Sequence, residues 1–253
     1  MLTQARSRWD GRQRPSPADL RTPAYDGPSA GPPRHKLLIC AAPRSSSKRL
    51  ARLLLGAGLG VPMEYFNKNS IGALTSRWGI GRREYVAHLY AKRSANGVFA
   101  SNLQQQQLQV WPYRQDIDGL FDGATVVHLV RADKRAQAAS LAACLLTGEW
   151  GFEAPAGRAE FSARRMRRAA ADALAIVAGE DEQLERWFEH YRVSPIRIAA
   201  EQVNRADLAV VADLASRLDV ELDRAAAERM LLCDEGPYRG HETLKSRLQE
   251  YLE

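Results

Sequence analysis

The sequence predicts an α/β fold: a mainly parallel sheet flanked by helices, with a helical C-terminal part. Two apolar runs of strand length, 36–41 and 124–130, each lead into a polar turn and then into a helical pattern. Further strand and helix patterns alternate between and after them, the order expected when parallel strands are joined by helical crossovers.

Taken in order, residues 1–35 hold six of the twelve prolines, three glycines, six arginines and three aspartates, with almost no apolar periodicity, and read as a disordered tail. The run 36–41 reads as the first strand. It ends in the turn-forming stretch 42–47, which opens a helix with Leu50, Leu53 and Leu54 on one face. Gly56-Ala57-Gly58-Leu59-Gly60 has the look of a dinucleotide fingerprint, but it ends a helix instead of following a strand and reads as a helix stop. A helix around 84–92 precedes a strand at 97–101. The strand 124–130 ends at Arg131, and Asp133 is placed to cap a helix running to about Thr147, with Ala136, Ala139, Ser140, Ala143 and Cys144 as a small-residue stripe. Leu184, Trp187, Phe188 and Tyr191 mark a later helix, 196–198 a short strand, and Leu208, Val211, Leu214 and Leu218 a further helix. Residues 36–253 read as one domain.

Composition bounds the function. A chain of 253 residues, 45% hydrophobic, has a sizeable core to bury. The net charge of +6 suits a polyanionic small molecule as well as nucleic acid. A basic stripe interleaved with aromatic platforms is missing, however, so nucleic acid is not the expected partner. Cys40, Cys144 and Cys233 form neither a disulfide framework nor a metal spacing with the scattered histidines, which sets the expectation of a reducing cytoplasmic location and no metal. No apolar run approaches the ~20 residues of a membrane span. His128, inside a strand pattern, reads as a core or pocket-lining residue, and Arg164-Arg165-Met166-Arg167-Arg168 as a solvated helix face.

The chemistry starts at Pro43-Arg44-Ser45-Ser46-Ser47-Lys48. In a turn between strand and helix, successive backbone N–H groups converge on one anion, the helix dipole favours negative charge, and the Ser hydroxyls, Arg44 and Lys48 are additional donors. A phosphate or sulfate group is the expected ligand; an ordinary capped turn with solvated basic residues is the competing reading. The nucleoside-triphosphatase loop pattern G-x-x-x-x-G-K-[ST] is absent.

Five motifs then fall in one order: Arg44-Ser45-Ser46-Ser47; Gly60-Val61-Pro62-Met63-Glu64-Tyr65-Phe66; Gly97-Val98-Phe99; Arg131-Ala132-Asp133 running on to Gln137-Ala138-Ala139-Ser140; and Thr147-Gly148-Glu149-Trp150. Together they resemble the trehalose 2-sulfotransferase-like family of bacterial sulfotransferases over about residues 36–205. The resemblance implies a P-loop-like fold that binds 3′-phosphoadenosine 5′-phosphosulfate (PAPS) and passes its sulfuryl group to a hydroxyl of a small molecule such as a glycan, lipid precursor or secondary metabolite, leaving 3′-phosphoadenosine 5′-phosphate (PAP). It implies that Arg44, Ser45, Ser46 and Ser47 surround the 5′-phosphosulfate, with Lys48 beside them either on the departing phosphate or turned to solvent, that Arg131 and Ser140 hold the 3′-phosphate, and that Glu64 is the general base. No metal is required, and a homodimer stays open alongside the monomer.

Three positions depart from the family pattern. Ser46 replaces a glycine and is strained if the turn needs positive φ. Lys48 replaces a small hydroxyl residue, and Asn102 stands where the family often has a lysine. Gln104–Gln107 reads either as part of an acceptor pocket or as a polar helix face, and Trp150 either as a wall of that pocket or as core. The alternative function is a catalytically impaired nucleotide-binding or regulatory module.

Overall fold

The computed structural model describes residues 18–27, 31–150, 160–205, 208–233 and 241–252. Its sheet has four strands, β1 (His35–Cys40), β2 (Val98–Leu103), β3 (Thr125–Val130) and β4 (Ile196–Ala199), all parallel, in the order β2-β1-β3-β4. The central strand β1 is apolar without alternation, because helices cover both of its faces: Leu37, Leu38, Ile39 and Cys40 are all fully buried. The chain runs from β1 to β2 on one side, then crosses to β3 on the other. The crevice beyond the carboxyl ends of β1 and β3 is therefore the switch point at which open α/β sheets bind ligands.

After β1 come α1 (Ser47–Gly56), α2 (Lys68–Trp78) and α3 (Tyr85–Arg93); after β2 come α4 (Gln105–Gln109) and α5 (Arg114–Phe121). Asp133 caps α6 (Lys134–Thr147), its Oδ1 accepting from the Ala136 N–H at 2.8 Å as its place in the sequence predicts. The small residues of α6 let α7 (Ala163–His190) approach closely. Ala138, Ala139, Leu141, Ala142 and Ala143 pack with Met166, Ala170, Ala173 and Val177 into a second apolar cluster. After β4, α8 (Ala200–Asn204), α9 (Ala209–Arg217), α10 (Arg224–Cys233) and α11 (Glu242–Glu250) form the helical C-terminal part, and Leu248 of α11 is buried in that second cluster. No helix among the described residues is long and apolar enough to cross a membrane.

Residues 18–27, expected to belong to a disordered tail, instead pack on α2 and α3. Two short 3₁₀ turns, Asp19–Arg21 and Pro23–Tyr25, bury Leu20 and Tyr25. The cause is ionic. Arg93, at the end of α3, is fully buried, and a buried guanidinium must be paired. It donates to the Leu20 and Thr22 carbonyls and pairs with Asp26 at 3.0 Å. Asp26 also receives a two-bond fork from Arg77, at 2.6 and 3.0 Å, and a bond from Trp78 Nε1 at 3.0 Å. Burial raises the Asp26 pKa, but the bonds from Arg77 and Trp78 and the charges of Arg93 and Arg77 outweigh it and hold the carboxyl below its ordinary value.

Candidate active site

The loop after β1 crosses the switch point in two left-handed steps, with φ 66° at Arg44 and 67° at Ser46. Ser46 therefore sits in the conformation that its departure from glycine makes strained, a cost of about 1–2 kcal/mol for an L-residue. Two buried bonds hold the turn in place. Gln137 Nε2, from α6, donates to the Pro43 carbonyl at 2.8 Å, and Ser45 Oγ donates to the Ala42 carbonyl at 2.8 Å. The Ser46 hydroxyl is engaged as well, donating to Asn204 Oδ1 at 2.8 Å. The backbone N–H groups of Ser45, Ser46, Ser47 and Lys48 remain without an acceptor among the described residues, as does the Ser47 hydroxyl, at the first turn of α1. Of the residues expected around an anion, Ser45 and Ser46 thus offer their backbone, while Ser47 and Lys48 offer backbone and side chain.

Arg131 and Ser140 come to the same crevice from β3 and α6. Arg131 Nη1 donates to the Arg44 carbonyl at 3.3 Å, and Arg44 Nε donates to Ser140 Oγ at 3.0 Å. Burial lowers the Arg131 pKa from its ordinary value, against the charges of Asp133 and Glu201, a sign of a cation held in a half-buried site. Arg44 Nη1 also reaches the Trp150 carbonyl at 3.4 Å. Trp150 is 47% exposed, so of its two readings the core one is excluded. All seven residues expected to hold the donor lie on the β1–α1 turn, at the end of β3 or on α6, around one crevice.

Glu64 arrives from the side of β2. Met63 forms a parallel bridge with Ser101, and the Met63 carbonyl accepts the Asn102 N–H at 3.0 Å, so the segment runs along the carboxyl end of β2. Gly60 permits this approach: at φ +84°, a Cβ there would lie 2.8 Å from the Ala100 Cβ and 3.0 Å from its backbone nitrogen. Tyr65 and Phe66 are buried, Tyr65 stacked on Phe99 and Phe66 edge-on to Trp111, and Tyr85 donates to the Tyr65 carbonyl at 2.8 Å. The carboxylate itself is half-buried. Gln107 Nε2 donates to Glu64 Oε2 at 3.1 Å, and Lys48 Nζ stands 3.9 Å from Oε1.

Gln107 is the residue that reading the sequence did not single out as a partner of Glu64. The glutamine run does form a helix, but this one of its side chains turns to the carboxylate. The start of α4 is held from α7: the buried Glu180 carboxylate accepts the backbone N–H groups of Gln105 and Gln106, and its burial raises its pKa. Asn102 is buried, with its N–H on the carbonyl of Met63 next to Glu64 in the chain, and its Oδ1 has no partner among the described residues. His128 is a core residue, paired with Arg197 at 2.8 Å and Glu185 at 3.2 Å. The arginines of 164–168 are exposed, Arg165 over Phe161, Arg167 over Tyr251 and Arg168 near Asp172. No cluster of three metal-ligating side chains occurs among the described residues.

The arrangement is a row of open N–H donors and cations whose one end, Lys48, meets a carboxylate poised between a lysine and a glutamine. Chemically, open donors of this kind can hold an anion, and a carboxylate so placed can accept a proton. A search of curated proteins finds no match. The family model for the Stf0 sulphotransferases matches residues 36–237, which takes in all of the sheet but its first residue, the turn at 44–48, Glu64, Arg131 and Ser140; the chain belongs to the Stf0 sulfotransferase family.

Proposed function

We propose that the protein transfers the sulfuryl group of PAPS to a hydroxyl of a small molecule, with Glu64 as general base. The observation that carries this reading is the 3.9 Å approach of Lys48 to Glu64, which joins the anion-binding turn to the carboxylate. The donor set suits an adenosine bearing two phosphate-type groups. The open N–H groups of residues 45–48, with the Arg44 guanidinium, suit one group, and the Arg131 guanidinium with the Ser140 hydroxyl suits the other. Bound there, PAPS supplies a sulfuryl group whose bond to the 5′-phosphate breaks as the acceptor oxygen bonds to sulfur. Glu64 takes the proton that the acceptor hydroxyl loses. Gln107 keeps the carboxylate turned to the crevice, and Lys48 offsets negative charge between base and donor. Such a base is worth ~10²–10⁴-fold in rate.

The test is calorimetric titration with PAP and with adenosine 5′-phosphate, without added metal. Tighter binding of PAP, reduced to the level of adenosine 5′-phosphate in Arg131→Ala, is the expected result. Equal binding of the two by the wild-type protein would remove the second phosphate site, and with it this reading.

A further inference from the structure

Helix α8 follows β4 directly, and β4 lies in register with β3, Ala199 beside Val130, so α8 starts next to the loop that carries Arg131. Ala200 and Val203 are buried and seat the helix, and the Ala199 N–H donates to Gln202 Oε1 at 3.0 Å. Glu201 and Asn204, one turn apart, share another face. Each reaches a different side of the donor crevice: Glu201 Oε1 accepts the Ala132 N–H at 3.2 Å, and Asn204 Oδ1 accepts the Ser46 hydroxyl at 2.8 Å. One short helix thus touches both the loop after β3 and the turn after β1.

A carboxylate close to an anion site repels the anion, so its presence there calls for a compensating role. Among the described residues no carboxylate forms an ion pair with the Arg131 guanidinium, which donates instead to the Arg44 carbonyl at 3.3 Å. Burial lowers the Arg131 pKa and the charges of Asp133 and Glu201 oppose it, so Glu201 favours the cation without occupying its N–H groups. A direct fork between the two side chains would compete with a phosphate for the same donors; a bond to the adjacent backbone does not. Of the two Glu201 oxygens, Oε2 is buried with no hydrogen-bond partner among the described residues. That is a cost, and the one contact set against it is the bond from Oε1 to the peptide between residues 131 and 132.

We propose that Glu201 is a positioning residue: by binding the Ala132 N–H it fixes the peptide after Arg131 and so holds the guanidinium over the crevice, where the second phosphate group of the donor binds. The proposal rests on the reading of the crevice as a PAPS site and adds to it a residue that acts on the donor only through Arg131.

The experiment is calorimetry of the full-length protein with PAP and with adenosine 5′-phosphate. Wild type is compared with Glu201→Gln, which keeps the reach and loses the charge, and with Glu201→Asp, which keeps the charge and loses the reach. The quantity read is the ratio of the two affinities, which a general loosening of the fold does not move. Glu201→Asp is expected to lower the ratio by about fivefold, the value of one hydrogen bond, through PAP alone. Glu201→Gln is expected to stay within about twofold of the wild-type ratio, and in an Arg131→Ala background neither change should alter the ratio further. A wild-type ratio in a folded Glu201→Asp protein would overturn the proposal while leaving the donor site intact. So would a parallel loss of both ligands in that variant. Equal falls in the Gln and Asp variants would show that the charge acts and not the bond, and a clear rise in PAP affinity in either would show that Glu201 only repels the ligand; each result overturns the proposal. Equal binding of PAP and adenosine 5′-phosphate by the wild-type protein would remove the second phosphate site itself, and this proposal with it.

Discussion

Asp26→Ala tests how far residues outside the matched region belong to the folded unit. Asp26 takes bonds from Arg77 and Trp78 and the charge of Arg93, and its side chain is 17% exposed. Its removal leaves Arg93, at 0% exposure, without a counter-charge. Breaking a buried ion pair from one side costs about 3–5 kcal/mol. Arg93 keeps the Leu20 and Thr22 carbonyls, and Arg77 is partly solvated, so the expected loss lies at the low end, about 3 kcal/mol. Urea unfolding reads this as a lower midpoint at unchanged slope. The pH dependence supplies a second readout. Because the folded-state pKa of Asp26 is depressed, its contribution is fully present above the unfolded value near ~3.9 and is lost as pH falls through the lower folded value. Asp26→Ala should therefore be less stable at neutral pH and should lose less on acidification than wild type. A destabilisation below about 1 kcal/mol would refute the view that this network anchors residues 18–27. The consequence reaches the active site, because α3 also carries Tyr85, which is bonded to the backbone beside Glu64.

Three further outcomes follow from the site. Gly60→Ala forces a Cβ into Ala100 at positive φ, so a loss of more than about 2 kcal/mol in thermal or urea unfolding is expected, and a neutral result would contradict the close approach that places Glu64. Gln137→Leu removes the buried bond to the Pro43 carbonyl; calorimetry should show weaker PAP binding along with a stability loss of about 1–3 kcal/mol, and unchanged PAP affinity would mean that the turn at 44–48 holds itself. Ser46→Gly relieves the left-handed strain but loses the bond to Asn204, two effects of about 1 kcal/mol that oppose each other, so a melting temperature near wild type with undiminished PAP binding is expected; a sharp loss of binding would show that the Ser46 side chain itself holds the ligand.

The fold was legible where local pattern and tertiary role coincide. β1 is a bare apolar run because it is the buried central strand, and α6 could be read from Asp133 to Thr147 because its cap and its small-residue stripe are both local signals. That the turn at 44–48 and Arg131 would lie close together was legible because strand ends in a parallel sheet converge, whereas Ser140, within a stripe of small residues, was singled out by the family resemblance alone. Residues 18–27 were not legible, since what binds them is an arginine some seventy positions away and not an apolar period of their own. Gln107 stayed ambiguous within a run of four glutamines, because only the register of β2 and the seat of α4 on Glu180 decide which amide faces Glu64.

The most direct test of the central claim is transfer itself. The wild-type protein and Glu64→Gln are each incubated with sulfur-labelled PAPS and a mixture of small hydroxylated compounds, and label is followed into new sulfate esters. The account predicts labelled ester with wild type and a loss of at least ~10²-fold in Glu64→Gln, whose PAP affinity stays near that of wild type. Equal labelling by the two proteins would contradict Glu64 as the base.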